Sequence, residues 1–497
     1  MKIFLTVLIL FVSFAGCRPN STNSTDNISV TDDDAVDVTD TFETDESDES
    51  DESDDSDDSE IDEEKNDDGD HEYDLLSDMD FEVVDEDVFT PWTPVPPKKE
   101  KHGIWNIIWV SGTPYEMGFQ QGQLLYDEIS NGIKNSEYVK EIKSQITIAS
   151  LAQVDKYASM NSYPDIVQEC EGMVASAGTA GWSMELCLFI NFGDVMVEIL
   201  DRLPLVTNFR VPGCSQMMVT KDATVDGKLY HARMLDWAEI DYLLWYPTII
   251  VRQPIDGIPH VFIGFPGNLS PYSGMNVAGI SGGSNESDAF DSSQQSYTGR
   301  SHVQMLGQIL KRSHSLEEAI SFVEGEKHMA VTQFGIADAA NDTAGVFEMT
   351  AKHMAVRRME NDVLWMSNHF VHPEMESYDK DPIANSSRRR FDRFAQLVPE
   401  NGIESMFGTF DPAQIVKVMR DRVNPDNGKE SPLGTFDDDK SIGTNGAIYS
   451  MVFDPGNLHF WVAAGSVPVP EQEFQGFSLG TLLNWPGAVP IDPEVIH

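Results

Sequence analysis

Residues 211–237, V-P-G-C-S-Q-M-M-V-T-K-D-A-T-V-D-G-K-L-Y-H-A-R-M-L-D-W, constrain this chain more than any other stretch. A cysteine behind a glycine opens it and an extended apolar run follows. Asp226-Gly227 reads as a two-residue hairpin turn, and a second run carries Arg233 and Asp236. Such a hairpin needs a sheet around it. If Cys214 begins the first strand, the hairpin folds Arg233 and Asp236 back beside its thiol and its backbone nitrogen. A thiol, a guanidinium and a carboxylate then share one corner.

That trio suits nucleophilic chemistry. A free thiol is mostly protonated at neutral pH, so a nucleophilic cysteine needs a base within reach or a cation that favours thiolate. Were the bond between Gly213 and Cys214 cut, the new α-amino group would titrate near ~8, close to the ~8.5 of a thiol, and could take its proton. Asp236 would hold the ammonium and Arg233 would favour the thiolate. The same residues also suit a plain hairpin with a small buried cysteine and a surface ion pair.

Charge is distributed very unevenly. Residues 31–90 hold 31 acids and one basic residue, Lys65, whereas the chain from Pro91 onward has 51 acids against 30 basic residues. The second figure is ordinary for a folded domain of about 400 residues, long enough for a large core. Nothing supplies the basic face that phosphate binding requires, so nucleic acid is not an expected partner. The four cysteines, Cys17, Cys170, Cys187 and Cys214, include no C-x-x-C pair, and no cluster has metal-ligand spacing. No metal or cofactor is expected. Cys170 and Cys187 suit either a disulfide in an oxidising compartment or two buried thiols on helical apolar positions.

In chain order, residues 1–17 combine Lys2, an apolar run and Ala15-Gly16-Cys17, a secretory signal ending like a bacterial lipobox with Phe14 where leucine is more usual. Cys17 would carry the lipid, placing the protein at a bacterial cell envelope with the membrane contacted through that anchor only. Ordinary signal cleavage in a eukaryotic secreted protein is the alternative, which the sequons at Asn20 and Asn268 permit. Residues 18–101, with D-E-S-D-E-S-D-D-S-D-D-S at their centre, are too acidic and too poor in apolar residues to fold and read as a disordered tether.

Order is expected from Gly103. A strand over 104–110 leads into a helix from 112 towards 146, with further helices over 164–177 and 184–200. Beyond the hairpin, strands fall at 242–252, 260–264, 333–337, 343–349 and 363–368, around a glycine-rich run, 272–285. Helices fall at 302–311, 315–323 and 387–397, and strands at 446–453 and 459–465 close the reading. Helices layered against mainly antiparallel sheets, an α+β fold, accommodate this order.

Six motifs now stand in sequence: Gly112-Thr-Pro-Tyr-Glu-Met-Gly-Phe-Gln-Gln-Gly122, Gly213-Cys214, Arg233-Met-Leu-Asp236, Gly274-Met-Asn276, Ser367-Asn368-His369 and the Ser387 to Arg393 cluster. Their order and spacing, over about residues 104–470, resemble the isopenicillin N acyltransferase family of self-processing N-terminal nucleophile enzymes. Bile salt hydrolases, penicillin V acylases and acid ceramidase are more distant relatives. The resemblance implies a four-layer αββα sandwich, autocatalytic cleavage after Gly213, and amide attack by Cys214 with its own α-amine as base. The cleaved chains, 102–213 and 214–497, would stay associated. Asn368 is similar to the asparagine that holds the tetrahedral oxyanion, Asn285 to a second one, and either Arg390 or Arg393 to the late arginine of the site. One residue departs from the pattern: Gln216 stands where the penicillin-forming member often has a hydroxyl residue.

His231 and His369 invite a cysteine–histidine dyad, but a cysteine on a hairpin behind glycine lacks the helix N-terminus of papain-like sites. The expected function is a self-cleaving cysteine amidohydrolase or acyltransferase acting on a small-molecule N-acyl amide. The alternative is a surface-anchored binding protein that keeps the fold without turnover.

Overall fold

The computed structural model describes residues 92–497 except 151–153, 194–212, 237–239, 288–291, 297, 330, 380–382 and 433–440. The signal-like run, Cys17 and the acidic segment lie outside the described residues.

Two large sheets organise the rest. The first has nine strands in the order β1 (Lys98–His102), β2 (Trp105–Gly112), β5 (Thr248–Pro254), β6 (His260–Gly264), β7 (Ser273–Asn276), β8 (Ile280–Glu286), β9 (Thr332–Asp338), β10 (Thr343–Met349) and β11 (Met354–Arg358). The second has seven: β12 (Val363–Met366), β3 (Ser215–Lys221), β4 (Gly227–Asp236), β15 (Ala447–Asp454), β16 (His459–Ala464), β17 (Phe474–Ser478) and β18 (Val495–Ile496). A two-stranded ribbon pairs β13 (Val423–Asn424) with β14 (Lys429–Glu430). Within the two large sheets β2 and β5 run parallel and every other neighbouring pair runs antiparallel.

The inner faces of the sheets meet through Met218 and Leu229 on one side and Ala337, Ala344 and Val346 on the other, all buried. Helices Pro114–Leu124, His302–Arg312 and Leu316–Glu324 cover the outer face of the nine-stranded sheet, while Asn385–Leu397 and Pro412–Met419 cover that of the seven-stranded sheet. The mixed α+β class holds, with helix, sheet, sheet and helix in succession.

The outer helices pack unusually closely. A Cβ on Gly118 would lie 2.0 Å from the Glu169 carbonyl oxygen, and one on Gly172 2.0 Å from that of Tyr115. Only glycines let helices Pro114–Leu124 and Pro164–Ala177 cross at that distance. The second of these is joined to Met184–Phe192 by a Cys170–Cys187 disulfide, which resolves the two readings of that pair.

Several expectations need correction. Residues 92–101, part of the stretch read as tether, belong to the described structure, and 98–101 form most of β1. The helix expected from 112 to 146 is three helices, interrupted at Leu125 and at Ser136, whose hydroxyl donates to Asp241 at 2.6 Å. The helix expected over 184–200 runs from Met184 to Phe192 and is interrupted at Gly193, whose φ of 73° no helical residue adopts, while 194–200 lie outside the described residues. Residues 241–245 are helical, so β5 begins only at Thr248. Asp226-Gly227 is not a two-residue turn either: Lys221 pairs with Gly227, and Asp222–Asp226 form a longer connection. Thr224 bridges to Phe410 and the Val225 N–H donates to the Phe410 carbonyl, contacts from far along the chain that override the local turn signal.

Candidate active site

Cys214 is the residue before β3, and β3 is flanked by β4 and β12. Gln216 lies opposite Arg233 on one side and Met366 on the other. Antiparallel pairing therefore brings Asp236, two strand steps beyond Met234, and Asn368, just past the end of β12, to the end of β3 that carries Cys214. Three of the residues singled out in the sequence converge because two registers agree.

Cys214 is a free thiol, buried. Arg233 Nη2 lies 3.5 Å from its Sγ and 2.5 Å from the Ser284 carbonyl oxygen, and the guanidinium sits 5.5 Å from the Tyr449 ring centre. Arg233 is itself fully buried, and its Nε and Nη1 have no hydrogen-bond partner among the described residues. An orphaned buried guanidinium beside a thiol favours whatever negative charge arrives there. Asp236, also buried, accepts from the Thr444 hydroxyl at 2.5 Å.

Arg390 reaches in from helix Asn385–Leu397. It donates to the Cys214 carbonyl oxygen, to Ser215 Oγ at 2.9 Å and to Asn368 Oδ1 at 2.8 Å. Asn368 Nδ2 donates to the Glu286 carbonyl at 2.7 Å, and its backbone N–H to Ser387 Oγ at 2.8 Å. Gly213 sits inside this cradle: a Cβ there would lie 1.7 Å from Arg390 Nη2 and 2.5 Å from Asn368 Oδ1. No side chain fits, which gives the glycine before Cys214 a steric cause.

Burial pushes the Cys214 thiol up, opposed by the positive charge of Arg233 and by the Asp236 backbone N–H. Burial likewise pulls Arg390 down, against the negative influence of Asp236 and Cys214. In the intact chain the thiol is thus held protonated, and a base must act before it attacks.

Of the two late arginines only Arg390 lies beside Cys214, since the Arg393 guanidinium engages Asp421 at 2.9 Å, Glu404 at 3.0 Å and Gln396 at 2.8 Å. Asn285 has both ends of its amide engaged. It is buried between the sheets, where Oδ1 accepts from Gln216 Nε2 at 2.8 Å and Nδ2 donates to the Ser367 carbonyl at 2.9 Å. It holds the peptide leading to Asn368. No cysteine–histidine dyad forms either: His231 bonds Ser281 Oγ and Gln216 Oε1, and His369 bonds Ser367 Oγ and Ser387 Oγ.

Sequence reasoning missed Ser387, Thr444 and Tyr449. Ser387 stands three residues before Arg390 on one helix, a spacing that places both on one face and could have drawn notice. Thr444 and Tyr449 come from far along the chain and gave no local signal. A groove of about 1270 Å³ lies between β11, β12 and helix Asn385–Leu397, walled by Trp365, Val371 and Phe391, and its lining includes none of Cys214, Asn368 and Arg390. Among the described residues no group of His, Cys, Asp and Glu is placed to hold a metal ion, and no helix is long and apolar enough to cross a membrane.

Residues 230–467 match the family described as acyl-coenzyme A:6-aminopenicillanic acid acyl-transferase. An uncharacterized protein of Archaeoglobus fulgidus is 24% identical over 309 residues, covering 54% of this chain and 51% of that protein. Protein dcd1B of Dictyostelium discoideum is 24% identical over 261 residues, covering 49% and 50%. The chain thus spans about half the length of the curated relatives it matches. Among solved structures, the N-acylethanolamine-hydrolyzing acid amidase ortholog of Caenorhabditis elegans is 14% identical, with a TM-score of 0.34 over 49% of this chain and 93% of that one. The family that residues 230–467 match is thus the one that the motifs resemble.

Proposed function

We propose that the protein is a self-cleaving N-terminal nucleophile enzyme whose Cys214 cleaves, or transfers the acyl group of, a small-molecule N-acyl amide. The observation that carries this reading is the seat of Gly213 between Asn368 and Arg390, with the Cys214 thiol beside Arg233. The peptide before Cys214 occupies the place an acyl donor would take.

In self-cleavage the Cys214 sulfur bonds to the Gly213 carbonyl carbon and the thiol proton passes to the Cys214 nitrogen that departs from it. The bond from that carbon to the Cys214 nitrogen then breaks, giving a thioester and a free amine. Water hydrolyses the thioester, leaving a carboxylate on Gly213 and the thiol on Cys214. In turnover the freed amine takes the thiol proton and passes it to the departing amine of the substrate. Asp236 holds the amine in place, Arg233 steadies the thiolate, and Asn368 donates to the oxyanion. Thr444 fixes the Asp236 carboxylate. Water or a second amine then resolves the acyl-thioester, by hydrolysis or by transfer.

Cleavage of a generic N-acyl amide by purified protein, absent in Cys214→Ala, tests the reading. A wild type that remains one chain and turns over nothing would favour a binding protein that has kept the fold. The N-terminal part carries a separate proposal, lipid anchorage at Cys17 with the acidic stretch as spacer. Cys17→Ser expressed in a bacterial host should move from the membrane fraction to the soluble one, and unchanged fractionation would count against the anchor.

A further inference from the structure

The residue that departs from the family pattern, Gln216, leads beyond this reading. Its side chain points into the layer between the sheets and is fully buried. There it occupies room left by two glycines of the opposite sheet. A Cβ on Gly283 would lie 2.8 Å from Gln216 Oε1, and one on Gly335 2.5 Å from it. Both polar ends of the amide are engaged: Oε1 is 2.9 Å from His231 Nε2, and Nε2 donates to Asn285 Oδ1. Since an amide oxygen can only accept, His231 carries its proton on Nε2, and its Nδ1 accepts from Ser281 Oγ at 3.0 Å. Burial pulls His231 down to about 3, which keeps the ring neutral and this direction of donation fixed.

The chain of bonds continues to the site. Asn285, its Oδ1 fixed by Gln216, turns Nδ2 to the Ser367 carbonyl, which Gln333 Nε2 also contacts at 3.2 Å. That carbonyl belongs to the peptide bond between Ser367 and Asn368, whose N–H is held by Ser387. The peptide that carries Asn368 is therefore gripped on both sides. Gln216 reinforces the way the Asn285 amide faces: its donor holds Oδ1 towards β3, which leaves Nδ2 for the Ser367 carbonyl, and without it that amide is held at one end only.

We propose that Gln216 is a positioning residue: through Asn285 it orients the Ser367–Asn368 peptide, and with it the oxyanion donor, without touching substrate. Gly283 and Gly335 are the space it requires. This rests on the reading of Asn368 given above.

The test uses processed wild-type protein, Gln216→Met, Gly335→Ala, Gln216→Ser and the double variant Gln216→Ser/Gly335→Ala. Gln216→Met keeps the volume and removes the donor. It should lower kcat by about tenfold or more with KM nearly unchanged, since only transition-state interactions are disturbed. Gly335→Ala should lower kcat in the wild-type background, where the new methyl displaces the Gln216 amide, and should cost little further in the Gln216→Ser background, where that amide is gone. A Gln216→Met enzyme with wild-type kcat, or a Gly335→Ala effect that is the same in both backgrounds, overturns the proposal while leaving Cys214 as nucleophile. A wild type that neither cuts itself nor turns over an amide overturns the Cys214 reading, and this proposal with it. A loss in KM alone also overturns it, because a displaced Asn368 acts on the transition state.

Discussion

Two buried arginines stand on strands among the described residues, and the difference between their surroundings separates structure from the proposed function. Arg252 on β5 lies under the helical layer, where its Nη2 meets Glu169 at 2.5 Å in an ion pair almost closed to solvent. Arg233 on β4 lies between the sheets, where Nη2 finds a backbone carbonyl and a thiol. A guanidinium matched to a carboxylate has its charge neutralised at rest. One given only neutral acceptors keeps its field for a charge that forms later, and the molecule bears the desolvation of that cation throughout. The same contrast recurs within a single helix: Arg393 is saturated by Asp421 and Glu404, while three residues earlier Arg390 meets only neutral oxygens.

Exchanging each of the two strand arginines for methionine should break this comparison most sharply. Arg233→Met should lower turnover on the order of 10²–10³-fold while stability is unchanged or higher, because a desolvated cation has been removed. Arg252→Met should do the reverse, leaving turnover near wild type and costing on the order of 3 kcal/mol in urea unfolding, because burial already pushes the Glu169 carboxyl up and Arg252 is the charge that opposes it. Equal stability losses in the two variants would contradict the distinction.

Asn368→Ala comes next. It should leave a processed enzyme with near-normal KM whose kcat falls by ~10²-fold, the usual cost of one oxyanion donor. Within the late helix, Arg390→Gln should cost turnover, whereas Arg393→Gln should only loosen the attachment of residues 404 and 421, visible as a drop of about 1–2 kcal/mol in unfolding free energy with kcat retained. Turnover lost in Arg393→Gln and kept in Arg390→Gln would reverse the assignment.

The smallest effect concerns acid. Burial lowers His231 and His260 from 6.5 to about 3 and His369 to about 4. The folded state therefore binds fewer protons than the unfolded chain below the ordinary histidine value. The stability these rings contribute is complete above pH 6.5 and is lost as pH falls from there towards 4 and then 3. Thermal midpoints should decline across that window, and His260→Gln, beside Arg252 and outside the catalytic layer, should flatten part of the decline with turnover intact. A midpoint constant from pH 6.5 to 4 would contradict the burial of these rings.

The parts legible in the sequence were those fixed by local pattern. Short apolar runs marked β6 and β10, and Pro164 opening a helical pattern marked helix Pro164–Ala177. Cys214, Arg233 and Asp236 could be placed together because one hairpin sets all three. Elements that failed were decided by distant partners. β1 and β11 are edge strands, short or rich in charge, that exist because β2 and β10 offer open edges. Helix Pro412–Met419, capped by Asp411 with Pro412 behind it, had a start signal that was overlooked. In the site, the role of Asn285 was hidden because Gln216, its partner, lies 69 residues away and in the opposite sheet.

All of this rests on the bond between Gly213 and Cys214. Intact mass of purified protein, with N-terminal sequencing of the larger fragment, tests it most directly. The account predicts two chains, the second beginning at Cys214, and a single uncut chain for Cys214→Ala with an otherwise native fold. Wild-type protein that remains one chain while hydrolysing amides at full rate would contradict it, because the thiol would then be working without the amine on which the proposed mechanism depends.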